Sequence, residues 1–212
     1  FLASRGYVVV EPEFRGSRGY GQAHYRAGWK QWGRAMQDDI SDALQFAVRQ
    51  GWADAQRACI MGASYGGYAT LMGLVKDPDQ YRCGVAFAAV VDPRLMYDFH
   101  LGVYNRQARQ FNLPVTLGDK DKDAEMLKSV APVEHAERIK APVLLAHGGY
   151  DYNVRIEHGE RMRDALKGHN SQVEWVLYEL EGHGWSKADT RIDFWTRVER
   201  LLAQQLQTES PR

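Results

Sequence analysis

Short apolar runs alternate along this chain with segments in which apolar residues recur at helical spacing. Most of the runs are apolar throughout, which is typical of strands buried on both faces of a parallel sheet. The pattern therefore predicts an α/β protein in which a mostly parallel sheet carries helices on both faces. The predicted strands span residues 7–12, 57–62, 83–91, 141–147 and 173–180.

Helical periodicity is clearest near the end of the chain, where Ile192, Trp195, Val198 and Leu202 fall on one face. Three further segments show the same kind of pattern. The main predicted helices span residues 35–50, 65–76, 155–167 and 187–206. Between the third and fourth strands, prolines interrupt residues 92–135, so we expect only short helices there.

The start of the chain is abrupt. Residues 1–6 have the pattern of a helix end, and the first predicted strand follows at once. We therefore expect one or more strands of the sheet to precede residue 1. The 212 residues suit a single globular domain that is large enough to bury a continuous core.

The formal net charge is zero, because the chain contains 27 lysines and arginines and 27 aspartates and glutamates. Such a chain has no overall field that would attract nucleic acid or an anionic membrane. No apolar run approaches the roughly 20 residues of a membrane helix, and no secretory signal is recognisable. The sequence predicts neither a nucleic-acid nor a membrane partner, and it leaves the compartment and homo-oligomer formation open.

Two cysteines, Cys59 and Cys83, lie in apolar stretches and lack the short spacing of metal ligands. A free cysteine often behaves as a small core hydrophobe. We therefore expect two reduced, buried thiols, with a single disulfide between them as the alternative.

Candidate chemistry begins with the motif Gly62-Ala63-Ser64-Tyr65-Gly66, which lies between a predicted strand and a predicted helix. This is the context of a nucleophile elbow, in which a serine occupies a tight strand-to-helix turn between small residues. The alternative is a glycine-rich turn without chemistry. We predict that Ser64 is a nucleophile.

A serine hydroxyl needs a base, and the base needs an acid to orient it. Asp151 follows the fourth predicted strand and His183 follows the fifth, in the chain order Ser, Asp, His that such folds use. Asp92, which follows the third strand, is the rival acid, and a loop-capping role is the alternative for Asp151. We predict that Asp151 orients His183 as general base.

An oxyanion hole in this type of site normally uses the backbone N–H of the residue after the nucleophile, here Tyr65. The glycine-rich loop 15–21 supplies Tyr20, whose hydroxyl is the candidate for the second donor. The alternative for Tyr20 is an aromatic ring packed beneath a glycine-rich loop.

Four motifs together resemble the prolyl oligopeptidase family of serine peptidases, especially its dipeptidyl-peptidase and acylaminoacyl-peptidase-like branches. They occur in family order over nearly the whole chain. The motifs are RGSRGYG (15–21), GASYGGY (62–68), HGGYDYNVRIEH (147–158) and EGHGW (181–185).

The resemblance implies the α/β-hydrolase fold and a catalytic triad of Ser64, Asp151 and His183. It also implies an oxyanion donor at Tyr20 in some branches, or a backbone N–H upstream of this chain in others. Residues 1–212 would then form an N-terminally truncated catalytic domain, preceded in the family by a β-propeller that restricts access to short peptides. The implied reaction is peptide hydrolysis through an acyl-enzyme, with no cofactor or metal.

The sequence departs from the family's usual residues at two places, and both concern substrate specificity. Arg155 stands after Val154 where a proline is common, and EPEFRGS (11–17) replaces the usual residues before the RGS loop. Neither touches a triad position. A carboxylesterase or lipase with the same triad, and a binding module without catalysis, remain alternatives.

Overall fold

A four-stranded parallel sheet forms the centre of the computed structural model, which describes residues 1–97 and 105–206. Its strands are β1 (Cys59–Ala63), β2 (Cys83–Phe87), β3 (Val143–Gly148) and β4 (Val173–Tyr178). They lie side by side in chain order, and each neighbouring pair is parallel. Every strand therefore presents its carboxyl end at the same edge of the sheet.

The four main predicted helices are confirmed, with bounds that agree within a residue or two. The helices of the described chain are α1 (Gly21–Ala27), α2 (Ala35–Arg49), α3 (Tyr65–Lys76), α4 (Leu113–Thr116), α5 (Ala124–Ser129), α6 (Ile156–Lys167) and α7 (Ala188–Leu206). Short 3₁₀ segments occur at Ala3–Arg5, Pro93–Met96 and Pro132–Arg138, and a π-helical turn at Ala108–Asn112. The predicted short helices within 92–135 are thus present, although residues 98–104 lie outside the described part.

Helices cover both faces of the sheet, as predicted. Adjacent positions on β3 show this, because Leu145 belongs to the core cluster that contains residues of α3 and α6, whereas Leu144 belongs to the cluster that contains residues of α7. Both leucines are fully buried. A continuously apolar strand sequence is the direct result of having two covered faces.

The prediction of a strand at 7–12 is wrong for this structure. These residues pair with no strand in the described sheet, and the side chains of Val8, Val9 and Val10 are 43–59% exposed. A strand exists only where its backbone finds a hydrogen-bonding neighbour, and an apolar run alone does not supply one. The predicted strand 83–91 also ends early, at Phe87, because Ala88 turns out of the ladder with φ +48°.

The expectation of two reduced thiols is also wrong, because Cys59 and Cys83 form a disulfide. The two residues are direct register partners at the first positions of β1 and β2. Their Cα atoms are 4.7 Å apart, which falls within the usual span of a disulfide. The register of two strands is set by the fold, so spacing along the chain did not reveal the pairing.

Candidate active site

Ser64 occupies a sharp turn between β1 and α3, with φ +56° and ψ −118°. A non-glycine residue in this region carries backbone strain, which persists only where the surroundings enforce it. The surroundings are tight: a Cβ on Gly62 would lie 2.4 Å from the backbone carbon of Gly66, and one on Gly67 would lie 2.7 Å from the Cβ of Ala89. The small residues of the motif therefore allow β1, the turn and α3 to approach closely.

Backbone hydrogen bonds hold this turn on both sides. The Ser64 N–H donates to the carbonyl of Phe87 at the end of β2 (3.0 Å), and the Ser64 carbonyl accepts from the N–H of Tyr68 (3.0 Å). The N–H of Tyr65 belongs to the first turn of α3, where amides lack an intrahelical acceptor. The Ser64 hydroxyl itself makes no hydrogen bond to any residue in the described ranges.

Asp151 lies in the loop that follows β3, and its side chain is fully buried. One carboxylate oxygen accepts from the N–H groups of Asn153 and Val154, both at 2.9 Å. The other accepts from Nδ1 of His183 at 2.8 Å. With both oxygens satisfied, the carboxylate holds a fixed orientation toward the imidazole.

His183 lies in the loop between β4 and α7, and a quarter of its side chain is exposed. Because Nδ1 donates to Asp151, a neutral imidazole presents an unprotonated Nε2 as an acceptor. The loops carrying the two residues touch closely, since a Cβ on Gly148 would lie 2.2 Å from the carbonyl oxygen of Gly182. The Tyr150 N–H also donates to the carbonyl of Glu181 across this contact (2.8 Å).

The rival acid, Asp92, has a different environment. It caps the 3₁₀ segment Pro93–Met96 by accepting from the Arg94 N–H (2.9 Å). The Arg94 guanidinium also holds both Asp92 oxygens, at 2.8 and 2.9 Å, and reaches Glu134 as well. The structure thus brings His183 to Asp151, while Asp92 is engaged by a cation.

Two buried histidines behind Asp151 were not anticipated. His147, at the end of β3, bonds through Nε2 to the carbonyl of Val154 (2.8 Å), and the same atom is 3.7 Å from Asp151. His158 on α6 accepts from the Val91 N–H (3.1 Å). Burial lowers the pKa of both rings, and together with the neighbouring His147 it brings the pKa of His158 to about 4. Both rings are therefore neutral at pH 7.

Glu181, two residues before His183, is the second feature that the sequence analysis missed. Its carboxylate is buried and accepts hydrogen bonds from the backbone and hydroxyl of Ser186 and from the backbone of Lys187. Burial acts to raise the pKa of this carboxyl, but those hydrogen bonds and the side chain of Thr190 outweigh burial and lower the pKa to about 2. The one signal in the sequence was an acidic residue two positions before a histidine that has a glycine on each side.

The two candidate oxyanion donors differ in position. The Tyr65 N–H stands at the start of α3, directly after Ser64. Tyr20 is 60% exposed, its ring contacts that of His24, and its hydroxyl has no hydrogen-bond partner in the described part of the chain. The side chain of Tyr65 packs against Phe14 and Trp32, and burial, followed by the charge of Asp39, raises the pKa of its buried hydroxyl.

The fold and the site together define a class. A parallel sheet with helices on both faces carries a serine on a strained strand-to-helix turn after β1. Past β3 and β4, an aspartate and a histidine are joined by a hydrogen bond at the same edge of the sheet. This arrangement is that of the α/β-hydrolase fold.

Comparison with known proteins assigns the chain more narrowly. Residues 1–209 match the Prolyl oligopeptidase family, and the chain belongs to that family. Dipeptidyl aminopeptidase BIII of Pseudoxanthomonas mexicana is 37% identical over 207 residues, which cover 96% of this chain and 30% of that protein. Dipeptidyl peptidase family member 6 of Caenorhabditis elegans is 31% identical, over 99% of this chain and 28% of that protein.

Solved structures agree. A Mycobacterium tuberculosis puromycin-hydrolyzing peptidase superposes with a TM-score of 0.84 at 27% identity, over 93% of this chain and 29% of that one. The chain thus spans less than a third of the length of these relatives. No helix in residues 1–97 and 105–206 is long and apolar enough to cross a membrane. Within the same ranges, no three His, Cys, Asp or Glu side chains come together as a metal site requires.

Proposed function

We propose that the protein containing this chain is a serine peptidase that hydrolyses peptide bonds of short peptides through an acyl-enzyme. The observation that carries the proposal is the 2.8 Å hydrogen bond between His183 and Asp151, at the edge of the sheet where the elbow holds Ser64. Family membership and the names of the dipeptidyl aminopeptidase and puromycin-hydrolyzing peptidase relatives support peptide substrates.

In this mechanism the Ser64 hydroxyl attacks the substrate carbonyl while Nε2 of His183 removes its proton. Asp151 holds the imidazole in the tautomer that leaves Nε2 free, and it stabilises the imidazolium that forms. The hydrogen bond between Ser64 and His183 is expected to form when substrate is bound, since such contacts are often long in the free enzyme.

The tetrahedral intermediate places negative charge on the former carbonyl oxygen. The Tyr65 N–H, aided by the positive end of α3, is the first donor to this oxygen. The Tyr20 hydroxyl is proposed as the second donor. Collapse of the intermediate transfers the proton from His183 to the leaving amine, and water then hydrolyses the ester on Ser64 by the same route.

The limit to short peptides rests on a different argument. It depends on the β-propeller that the family resemblance places before the catalytic domain, outside this chain. We therefore propose the limit to short peptides for the whole protein, and the residues of this chain account only for the proposed reaction.

The first test is Ser64→Ala in the full-length protein, with Ser129→Ala as control, because Ser129 is an exposed serine away from the site. We expect Ser64→Ala to abolish labelling by a fluorophosphonate probe and to lower kcat on aminoacyl and dipeptidyl amides by at least about 10⁴-fold. Ser129→Ala should label and turn over as the wild type does. Circular dichroism and thermal unfolding check that both variants fold.

Three outcomes would contradict the proposal. Amide hydrolysis that persists in Ser64→Ala would mean that the nucleophile is misassigned. Hydrolysis of esters but not of matched amides would indicate a carboxylesterase. A folded wild-type protein that fails to react with the probe would indicate a binding module.

A further inference from the structure

The loop that carries His183 is closed by the side chain of one residue, Glu181. The carboxylate spans from the start of the loop to its end, where Oε2 accepts from the Ser186 N–H (2.8 Å) and hydroxyl (2.7 Å). Its other oxygen, Oε1, accepts from the Lys187 N–H (2.9 Å), just before α7 begins at Ala188. We call residues 181–187, closed in this way, the histidine loop.

The backbone of Glu181 anchors the other end of the histidine loop. Its carbonyl accepts from the N–H of Tyr150, the residue next to Asp151 (2.8 Å), and its own N–H donates to the carbonyl of Tyr178 at the end of β4 (3.1 Å). The same residue therefore links the histidine loop to the loop of the acid and, through its side chain, to the N-terminus of α7.

His183 lies between Gly182 and Gly184, which form an isolated β-bridge with each other, and Gly184 has φ +152°. Glycine has more conformational freedom than any other residue, so this segment loses much entropy when it is ordered. The hydrogen bond to Asp151 fixes one ring atom only. The bridge within these three residues does not place them relative to the sheet, so other contacts must hold the loop backbone if Nε2 is to reach Ser64 in the proposed mechanism.

The environment of the Glu181 carboxylate fits such a task. Only 2% of the residue is exposed, and no cation pairs with it within residues 1–97 and 105–206. Burying an unpaired carboxylate is unfavourable unless hydrogen bonds compensate it. Here every donor that compensates it lies in residues 186–190, so the stabilisation exists only while the histidine loop is closed.

We propose that Glu181 is a positioning residue for His183, holding the histidine loop closed so that the imidazole is directed at Ser64. This inference rests on the proposed function, because it assigns Glu181 a part in the same reaction. Glu181 touches neither Ser64 nor the imidazole among its described contacts, and it acts through the loop backbone alone.

The isosteric variant Glu181→Gln is a sharp test, because both carboxylate oxygens face donors. In either orientation of the amide, its NH₂ group meets an N–H that also donates. A donor facing a donor in a buried site is unfavourable. The hydrogen bonds that close the histidine loop should therefore break, although the side-chain volume is unchanged. The matched control is Glu179→Gln, two residues earlier, where the side chain is exposed.

In the full-length protein we expect Glu181→Gln to lower kcat on a dipeptidyl amide about 10- to 100-fold, as a displaced catalytic group does. KM should stay within about twofold, since the contacts to substrate are elsewhere. Glu179→Gln should change none of these quantities.

A second variant separates the effect of the hydrogen bonds that close the histidine loop from the effect of the charge of Glu181. Ser186→Ala removes the hydroxyl donor but keeps the carboxylate and both N–H contacts, so it should lower kcat only severalfold. Hydrogen exchange provides a readout that needs no activity. The amides of residues 181–187 should exchange faster in Glu181→Gln than in the wild type or Glu179→Gln.

Two results would overturn the inference. One is a folded Glu181→Gln with wild-type kcat and wild-type exchange of residues 181–187. The other is a loss of activity in Glu181→Gln that merely parallels unfolding, with kcat unaltered in Ser186→Ala. A wild-type protein that neither labels nor cleaves amides would instead contradict the proposed function, and the exchange comparison would still show whether Glu181 closes the loop.

Discussion

The two glycines on either side of Ser64 have unlike surroundings, although they play the same part in the sequence motif. A Cβ at Gly62 would meet three backbone atoms of Gly66 at 2.4–2.7 Å, whereas a Cβ at Gly66 would meet nothing within 4 Å. The first glycine is thus required by a backbone-to-backbone contact, and the second is not required by packing.

This difference predicts unequal effects of one substitution. Gly62→Ala should lower the free energy of unfolding by about 2–4 kcal/mol and remove fluorophosphonate labelling, because β1 and α3 must separate to admit the methyl group. Gly66→Ala should leave the free energy of unfolding unchanged or raise it by up to about 1 kcal/mol, because alanine favours the helix. Urea unfolding of the two variants measures both effects. Equal destabilisation would mean that the close contact does not govern the turn.

At the level of single residues, the sequence predicted the groups whose place depends on strand ends. Ser64, Asp151 and His183 each follow a strand, and the structure joins the last two directly. It did not predict the buried Glu181 or His147, because the hydrogen-bond partners of each become neighbours only when the following loop folds back. The positions of Tyr20 and the Ser64 hydroxyl relative to a bound substrate remain predictions.

The strands β1 and β2 are joined covalently at their amino ends by the disulfide between Cys59 and Cys83. The bridge joins residues 24 positions apart in the chain, and the segment between them contains the elbow and α3. In the unfolded chain such a cross-link removes conformational freedom, so it stabilises the folded state.

Replacing both cysteines by alanine should therefore lower the free energy of unfolding by about 3 kcal/mol. Urea unfolding with and without reductant measures the effect, and the reductant should destabilise the wild type but not the double variant. The rate of fluorophosphonate labelling at temperatures where the variant is folded should be unchanged, because the bridge lies at the opposite end of the strands from Ser64. A reductant-insensitive wild type would argue against the disulfide.

Whole elements were predictable where one property sufficed to define them. Amphipathic periodicity located α2, α3, α6 and α7 within a residue or two, and apolar runs located β1 to β4. The failures at 7–12 and after Phe87 have a common cause, because a strand needs a partner and a suitable φ as well as apolar side chains. The register that pairs Cys59 with Cys83 is likewise a property of two strands and not of either sequence.

The folded molecule as a whole should lose stability in mildly acidic solution. His158 is buried next to His147, and its pKa of about 4 lies below the 6.5 of an exposed histidine. Between these pH values the unfolded chain binds a proton that the folded chain does not, so the free energy of unfolding falls as pH falls from 6.5 to 4. The shift corresponds to about 3 kcal/mol for this residue.

The variant His158→Asn tests this, because an asparagine oxygen can still accept from the Val91 N–H but does not titrate. We expect the free energy of unfolding of the variant to depend less on pH between 6.5 and 4 than that of the wild type, with the remainder due to His147. Urea unfolding at four pH values in this range measures both slopes. Identical slopes would mean that His158 is not the titrating group.

The arrangement of the sheet also matters to anyone who wishes to engineer this protein. The disulfide lies where β1 and β2 begin, whereas Ser64, Asp151 and His183 follow the carboxyl ends of strands, so a strand length separates the two places. Libraries that vary the first positions of the strands should yield variants of higher thermal stability. Libraries that vary the loops after β3 and β4 should yield variants with altered substrate preference. Because a strand length separates the two sets of positions, gains from separate selections should add when they are combined in one variant.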